Sequence, residues 1–187
     1  MGKCTLHWRP FIDAALALLL IFCMPSLAPA RADEYQEAIT KVFPGFQILS
    51  RSEFTEEIQK SVKTHPALVT GRFNDDDVPD FAAIIRAKAI QRGQQGVREH
   101  YLGREIICHG SGNRQYRCQV LVEMPIFLPY AIYLNRVSPG KVECYQRGGK
   151  KADVTIKRDA VGYEASNVAG VYIYQPNGSY LNCVTAD

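Results

Sequence analysis

The 187-residue sequence contains no block of five or six like charges. Adjacent basic residues occur only as the pairs Lys150-Lys151 and Lys157-Arg158, so a basic arm for nucleic acid is absent. The longest apolar run, residues 14–24, is about half of the ~20 residues that a membrane-spanning helix needs. The sequence therefore predicts no nucleic-acid partner and no membrane span.

Common catalytic and metal-binding motifs are also missing. No C-x2-C or H-x3-H spacing of a zinc site occurs. Residues 92–96 lack the lysine and serine of a phosphate-binding loop, and Ser111 has no G-x-S-x-G sequence around it. None of the four histidines belongs to a recognisable set of nucleophile, base and orienting group. We therefore predict that the protein is not an enzyme.

The first 32 residues have the pattern of a secretory signal peptide. Lys3 and Arg9 precede the apolar run, and small residues follow it up to Ala32. Cleavage fits after Ala30 or after Ala32, and we favour Ala32. Residues 33–187 then form one exported domain, in the periplasm or outside the cell, whose charges are nearly balanced.

Cysteine usage agrees with export. Four cysteines remain after the predicted cleavage: Cys108, Cys118, Cys144 and Cys183. In an oxidising compartment they predict two disulfides with three alternative connectivities. We favour Cys108–Cys118 and Cys144–Cys183.

Apolar periodicity predicts two short helices near the start of this domain. Tyr35, Ala38, Ile39 and Val42 share one face of a helix. A second helix is predicted over residues 50–62, because Ser50 and Glu53 can form a capping box ahead of three apolar residues spaced four apart, Phe54, Ile58 and Val62.

The rest of the domain has the pattern of β-hairpins. The run Phe81–Ile85 is apolar throughout, as in a central strand buried on both faces. Residues 88–101 are predicted to be a polar excursion, and Asn177-Gly178 to be a type I′ hairpin turn. The predicted class is α+β, with two helices on a mainly antiparallel, disulfide-stapled sheet whose strands lie at 67–73, 80–87, 103–109, 115–124, 141–146, 152–158, 169–175 and 179–185.

The acidic loop, residues 72–80, joins the first two of these strands. Calcium loops place oxygen ligands at alternate positions of a tight turn. Aligned with D-x-[DN]-x-D-G-x-x-D, this loop offers the side chains of Asn74, Asp76 and Asp80 and the carbonyl of Val78. A Ca²⁺ site is therefore one interpretation of the loop.

Two stretches carry a resemblance to a known group of proteins. Residues 72–85, "RFNDDDVPDFAAII", resemble an FG-GAP-like calcium loop, and residues 159–187, "DAVGYEASNVAGVYIYQPNGSYLNCVTAD", are similar to the C-terminal hairpin of small exported bacterial proteins that carry one such loop. Those proteins have no assigned activity. The resemblance implies a β-rich exported domain, with a loop that could bind a cation, and no enzymatic activity.

Arg72 occupies the first ligand position of this loop, where a carboxylate is expected. A guanidinium group can bind two carboxylates and replace the charge of a metal ion. We therefore favour a turn stapled by Arg72, without a cofactor, over bound Ca²⁺ or a plain solvated turn.

Tyrosines concentrate in the C-terminal third. Strand alternation places Tyr172 and Tyr174 on one face and Val171 and Ile173 on the other. The tyrosine face could bind a partner, or it could pack across strands against Tyr180.

These features predict an exported, non-enzymatic binding or structural module. An alternative is an inhibitor or immunity-type protein that binds a partner protein through the tyrosine face or residues 88–101. A hydrolase is a third interpretation.

Overall fold

The computed structural model describes residues 32–92, 98–145 and 150–186. Within these ranges the chain forms two α-helices, a short 3₁₀ helix and eleven antiparallel strands in two sheets. Strands hold 54% of the residues and helices 13%. The predicted mainly antiparallel sheet is confirmed, whereas the helices are a smaller part of the fold than the α+β prediction implied.

The first sheet has the order β1-β3-β4-β5, and β2 also pairs with β3. Its strands are β1 (Phe46–Ile48), β2 (Leu68–Gly71), β3 (Asp80–Gln91), β4 (His100–Gly110) and β5 (Tyr116–Ile126). The predicted hairpin around the acidic loop is confirmed by the pairing of β2 with β3.

The predicted excursion over residues 88–101 is wrong at both of its ends. Strand β3 continues to Gln91 and β4 begins at His100, with Ile90 opposite Tyr101. The outer end of β3 is exposed, so it lacks the apolar alternation that marks a strand in sequence. Residues 93–97 of the excursion lie outside the described residues.

The second sheet has the order β6-β9-β10-β11-β7-β8. Its strands are β6 (Tyr133–Val137), β7 (Gly140–Tyr145), β8 (Lys151–Ile156), β9 (Ala160–Glu164), β10 (Ala169–Tyr174) and β11 (Tyr180–Ala186). The β10–β11 hairpin was predicted, but its turn is not type I′. Only Gly178 has a positive φ, of 83°, as in a three-residue loop that ends in a left-handed glycine.

Helix α1 (Ala32–Val42) packs on one face of the first sheet, and the second sheet packs on the other. Tyr35 and Ile39 of α1 contact the cluster of Phe81 and Ile85. On the opposite face of β3, Ile84 joins Val161 of the second sheet in the main core. The apolar run of β3 is therefore buried on both faces, as predicted.

The second predicted helix is interrupted at Phe54. The capping box of Ser50 and Glu53 is present, but it heads a 3₁₀ helix over Arg51–Glu53, and helix α2 spans only Glu56–Ser61. The break arises because Thr55 donates its N–H to the carbonyl of Tyr130, which holds the chain extended there. No helix in the described part of the chain is both long enough and apolar enough to cross a bilayer.

Both predicted disulfides are confirmed. Cys108–Cys118 joins β4 to β5, and Cys144–Cys183 joins β7 to β11. The second bond lies where β7 and β11 share only one paired position, Val184 with Tyr145. It therefore fastens the β7–β8 hairpin to the rest of its sheet, an effect typically worth about 2–4 kcal/mol.

Candidate binding site

The acidic loop is organised by its own side chains. Asn74 donates its amide to Asp76 Oδ2 at 2.7 Å and accepts the N–H of Asp76 at 3.1 Å. Asp76 Oδ1 accepts the N–H of Val78 at 2.9 Å. These are side-chain turns in which an Asn or Asp oxygen replaces a backbone acceptor. Three predicted cation ligands therefore meet in one loop, but the side-chain oxygens of two of them already accept N–H groups.

Asp80, the fourth predicted ligand, is the last residue of this loop and is only 1% exposed. Its carboxylate accepts the N–H of Phe73 at 2.7 Å and the N–H of Gly110 at 3.0 Å. A side chain at Gly110 would collide with the carbonyl oxygen of Pro79. Asp80 therefore closes the loop and fastens it to the end of β4.

The donor set fits a metal ion poorly in this arrangement. Within the described ranges, no group of three or more His, Cys, Asp or Glu side chains is placed to hold an ion. Asp76 and Asp80 would have to give up N–H donors before they could bind one. The side-chain oxygens of Asn74, Asp76 and Asp80 are thus engaged in holding the loop itself.

The guanidinium group that holds the acidic loop belongs to Arg158 and not to Arg72. Arg158 donates to the carbonyl oxygens of Asp75 at 3.1 Å and Asp76 at 3.2 Å. It also lies 3.6 Å from the carboxylate of Asp75 and 3.4 Å from that of Asp77. The sequence analysis expected Arg72 in this role, whereas these contacts come from Arg158, in the connection between β8 and β9.

Arg72 has a smaller role. Its guanidinium lies 3.5 Å from Asp77, and both side chains are more than half exposed, so this ion pair contributes little to stability. Its backbone N–H donates to Asp159 at 3.1 Å. No local signal identifies Arg158, because about 80 residues separate it from the loop that it binds.

His109 forms a polar cluster beside the loop with Asp80 and Tyr180. Its Nε2 lies 3.2 Å from the hydroxyl of Tyr180, which donates its single proton to the carbonyl of Phe73 at 3.1 Å. Nε2 must therefore be the donor to Tyr180. The buried Nδ1 makes no hydrogen bond among the described residues, but it lies 3.4 Å from Asp80 Oδ2.

Burial and the nearby Asp80 carboxylate raise the pKa of Tyr180, so its hydroxyl stays protonated. The rings of His109 and Tyr180 stack at 6.0 Å, and Tyr174 meets both rings edge-on. The sequence offered no sign of this cluster, since its members come from three separate strands.

A cleft of about 820 Å³ opens beside this cluster. The acidic loop forms one wall, the β4–β5 hairpin a second, and the β10–β11 hairpin a third. Its lining mixes aromatic and uncharged polar side chains with one arginine and one aspartate: Asn74, Asp76, Val78, His109, Gly110, Ser111, Gln115, Tyr116, Arg117, Cys118, Gln119, Tyr174 and Gly178.

A smaller cavity of about 210 Å³ lies on the other side of the acidic loop. Residues 154–160, which include Arg158, form much of its wall. Asn74 and Tyr174 line both this cavity and the larger cleft. The acidic loop thus separates two concave surfaces, and only the larger one reaches the β4–β5 hairpin.

The predicted tyrosine face is wrong at Tyr172. This residue is 6% exposed, and its hydroxyl donates to Glu105 at 2.7 Å in the core between the sheets. Strand β10 is covered on both faces, because Val171 and Ile173 pack in a separate cluster near the β7–β8 hairpin. Cross-strand packing of Tyr174 against Tyr180 at 5.5 Å is as the alternative prediction had it.

The cleft thus contains part of the predicted site and several residues that the sequence did not single out. Asn74, Asp76, Val78 and Tyr174 were predicted and line the cleft; His109 and Arg117 were not recognised as site residues. No protein-family model matches the chain, and neither a curated protein nor a solved structure was found that is similar to it.

Proposed function

We propose that the protein is an exported, non-enzymatic binding module whose partner occupies the cleft beside the acidic loop. The convergence of the acidic loop and two hairpins on one cleft of about 820 Å³ carries this proposal. That volume lies within the range of ligand-binding pockets, which combine aromatic side chains with a few polar groups. We assign the domain to the α+β class, with α1 packed on its first sheet.

Rigid support of the cleft favours a binding role. The Cys108–Cys118 bond fixes the β4–β5 hairpin, and Asp80 joins that hairpin to the acidic loop through two backbone N–H groups. Recognition surfaces gain affinity when their groups are held in place before the ligand arrives. Side chains in this cleft therefore need little reordering when a partner binds.

The hydrogen bonds of the cleft argue against a nucleophile. Ser111 donates its hydroxyl to the carbonyl of Gln115 at 3.3 Å. His109, the nearby candidate base, contacts Tyr180 through Nε2 and Asp80 through Nδ1. Serine catalysis requires the hydroxyl to contact the base directly, and these two side chains have other partners. This supports the non-enzymatic assignment over a hydrolase.

We further propose that the acidic loop, an FG-GAP-like loop by its sequence, acts chiefly in fold stability. A divalent cation such as Ca²⁺ is a second role for it. Asp75 and Asp77 face a guanidinium and not backbone N–H groups, so their oxygens would become available if Arg158 moved away. In this arrangement the charge of Arg158 replaces that of the ion.

An inhibitor or immunity-type protein is the alternative that keeps a protein partner. It would have used the tyrosine face or residues 88–101, but Tyr172 is buried and both ends of that segment are strand. Strand β5, the last strand of its sheet, favours a protein partner at the cleft and not at the tyrosine face or residues 88–101. The cleft beside the acidic loop would then be the inhibitory surface.

Site-specific photo-cross-linking tests the binding role. A photoreactive phenylalanine analogue is placed at position 115 in the cleft, or at position 153 on exposed β8 as the control. Irradiation of producing cells should give one discrete cross-linked product at position 115 and none at position 153. Equal products at both positions, or none at either, would contradict a partner in the cleft.

A further inference from the structure

Strand β5, which lines the cleft at residues 116–119, has an edge that pairs with no described strand. Cys108 and Cys118 lie directly opposite each other with a Cα–Cα distance of 3.9 Å. In an antiparallel ladder, so short a distance marks a pair that exchanges no hydrogen bonds across the strands. The N–H and C=O groups of Cys118 therefore point away from β4.

The same alternation applies along the start of β5. Tyr116 and Val120, two positions on either side of Cys118, also direct their N–H and C=O groups outward, whereas Arg117 and Gln119 bond to β4. No described strand follows β5 in the first sheet. Three residues thus present donors and acceptors with the spacing that another strand requires.

Side chains near this edge define the chemistry of a partner. Arg117 is exposed in the cleft and forms no ion pair with any described residue. Val120 and Val122 are 42% and 37% exposed. Opposite-charge and apolar cross-strand pairs each stabilise an antiparallel pairing. An added strand would therefore place an acidic side chain opposite Arg117 and an apolar one opposite Val120.

We propose that the partner adds an extended segment to β5, with one Asp or Glu facing Arg117 and an aliphatic residue facing Val120. This inference rests on the proposed binding role and names the kind of partner. Asp76 lines the cleft with Arg117, so repulsion excludes a segment with several acids. The pairing ends near residue 121, where a β-bulge interrupts the ladder with β4.

A second copy of this chain fits the edge less well. If two β5 strands paired about Cys118, Arg117 would face Gln119 of the other copy and Tyr116 would face Val120. Such a pairing gives Arg117 no opposite charge. Charge complementarity therefore favours a segment of a different protein.

Peptide selection followed by amide exchange tests this inference. A displayed library of random eight-residue peptides is selected on the exported, disulfide-bonded protein. Selected peptides should share one acidic residue with an aliphatic residue three positions away. On binding, they should slow hydrogen exchange at least tenfold at the amides of Tyr116, Cys118 and Val120, and leave the already bonded amides of Arg117 and Gln119 unchanged.

A charge reversal tests the side-chain part of the inference. Arg117→Glu should weaken the acidic peptides at least tenfold, and replacing their acid by Lys should restore binding to this variant. Lys141→Glu, an exposed charge reversal on β7, is the matched control and should leave binding unchanged. N-methylation of those alternate peptide amides that face β5 should also abolish binding, because it removes the hydrogen bonds between the peptide and the strand.

The remaining outcomes separate this inference from the proposed function. Peptides that bind without slowing exchange at the three β5 amides would overturn strand addition, while cross-linking at position 115 would still support the cleft. Recovery of no binding peptide, or equal effects of the two charge reversals, would also reject the inference. A protein that is already dimeric, with these three amides protected, would identify a second copy as the occupant.

Discussion

Glu105 is a carboxyl group in the interior of the molecule, 4% exposed between the two sheets. No described cation pairs with it, and its hydrogen-bond partner is the hydroxyl of Tyr172 at 2.7 Å. Burial raises the pKa of Glu105, an effect that the hydrogen bond from Tyr172 only partly offsets. Because the folded state binds this proton more tightly than the unfolded chain does, the residue makes stability depend on pH.

The sign follows from the raised pKa. The stability that Glu105 contributes to the folded state is fully present below the pKa of an unfolded glutamate. It is lost as the pH rises through the pKa of Glu105 in the folded protein. We predict that Glu105→Gln removes this loss of stability. The free energy of unfolding of the variant, relative to wild type, should rise between pH 4 and neutrality, by about 1.4 kcal/mol for each unit of pKa increase.

Urea unfolding of both proteins across that pH range measures this difference. The glutamine carbonyl can still accept the Tyr172 hydroxyl, so the packing is retained. Glu57→Gln, on an exposed residue of α2, is the control and should give a curve parallel to that of wild type. Parallel curves for Glu105→Gln as well would show that Glu105 is not a buried proton-binding group.

Contacts between distant residues explain why parts of the site escaped prediction. The cysteine pairing could be predicted because only four cysteines remain in the predicted domain. The acidic loop could be predicted because its residues are contiguous. Arg158 acts on that loop from the β8–β9 connection and His109 acts on it from β4. Glu105 is a charged residue type that nothing in the sequence marks as buried. A single sequence carries no signal that joins such positions.

At the scale of elements, the acidic loop and the β8–β9 connection behave as one unit through Arg158. The guanidinium contacts two carbonyl oxygens and two carboxylates, all within 3.6 Å. We predict that Arg158→Ala lowers the melting temperature in EDTA and that millimolar Ca²⁺ restores it. Calcium at a hundred times its dissociation constant adds about 2.7 kcal/mol to the stability of a folded state that alone binds it.

Arg72→Ala is the matched control, because Arg72 contacts the same Asp77 without binding the loop carbonyls. It should cost little stability and give no calcium response. A calcium response in wild-type protein that Arg158→Ala does not increase would show that the ion binds without displacing Arg158. Absence of a response in all three proteins would retire the cation role and leave the loop a purely structural one.

Element boundaries were predictable where packing reinforced local pattern. The apolar run after the acidic loop and the alternating strands around Asn177-Gly178 both predicted strands, and these strands form. Residues 50–62 have helical spacing, but contacts with the segment around Tyr130 hold Phe54 in a parallel bridge and split the helix. Strands β6 and β9 were missed, because each has only five residues and neither alternates clearly between apolar and polar residues.

At the scale of the whole domain, the antiparallel character could be predicted and the sheet order could not. Hairpins are local, and those of β2–β3, β4–β5, β7–β8 and β10–β11 were visible in the sequence. The pairings of β6 with β9 and of β7 with β11 join strands that are not consecutive in the chain. Those pairings decide which tyrosines are buried, and they explain why the predicted binding face was misplaced at Tyr172.

The two disulfides bear on the compartment in which the protein folds. Two disulfides are stable in an oxidising environment and are rare in the cytosol. We predict that the protein recovered from the periplasm or medium begins at Asp33, after cleavage following Ala32. Intact mass measures the N-terminus, and alkylation without reduction should label no thiol, since Cys4 and Cys23 leave with the leader and the other four cysteines are paired.

Leu19→Arg, which interrupts the apolar run of the leader, is the control for this prediction. That variant should remain inside the cell at full length, with thiols that alkylation labels. Wild-type protein found at full length in the cytosol would contradict export, and with it the oxidising environment in which the two bonds are expected. Recovery of a chain that begins at Arg31 would keep export and move the cleavage to Ala30, because the alternative A-x-A site ends there.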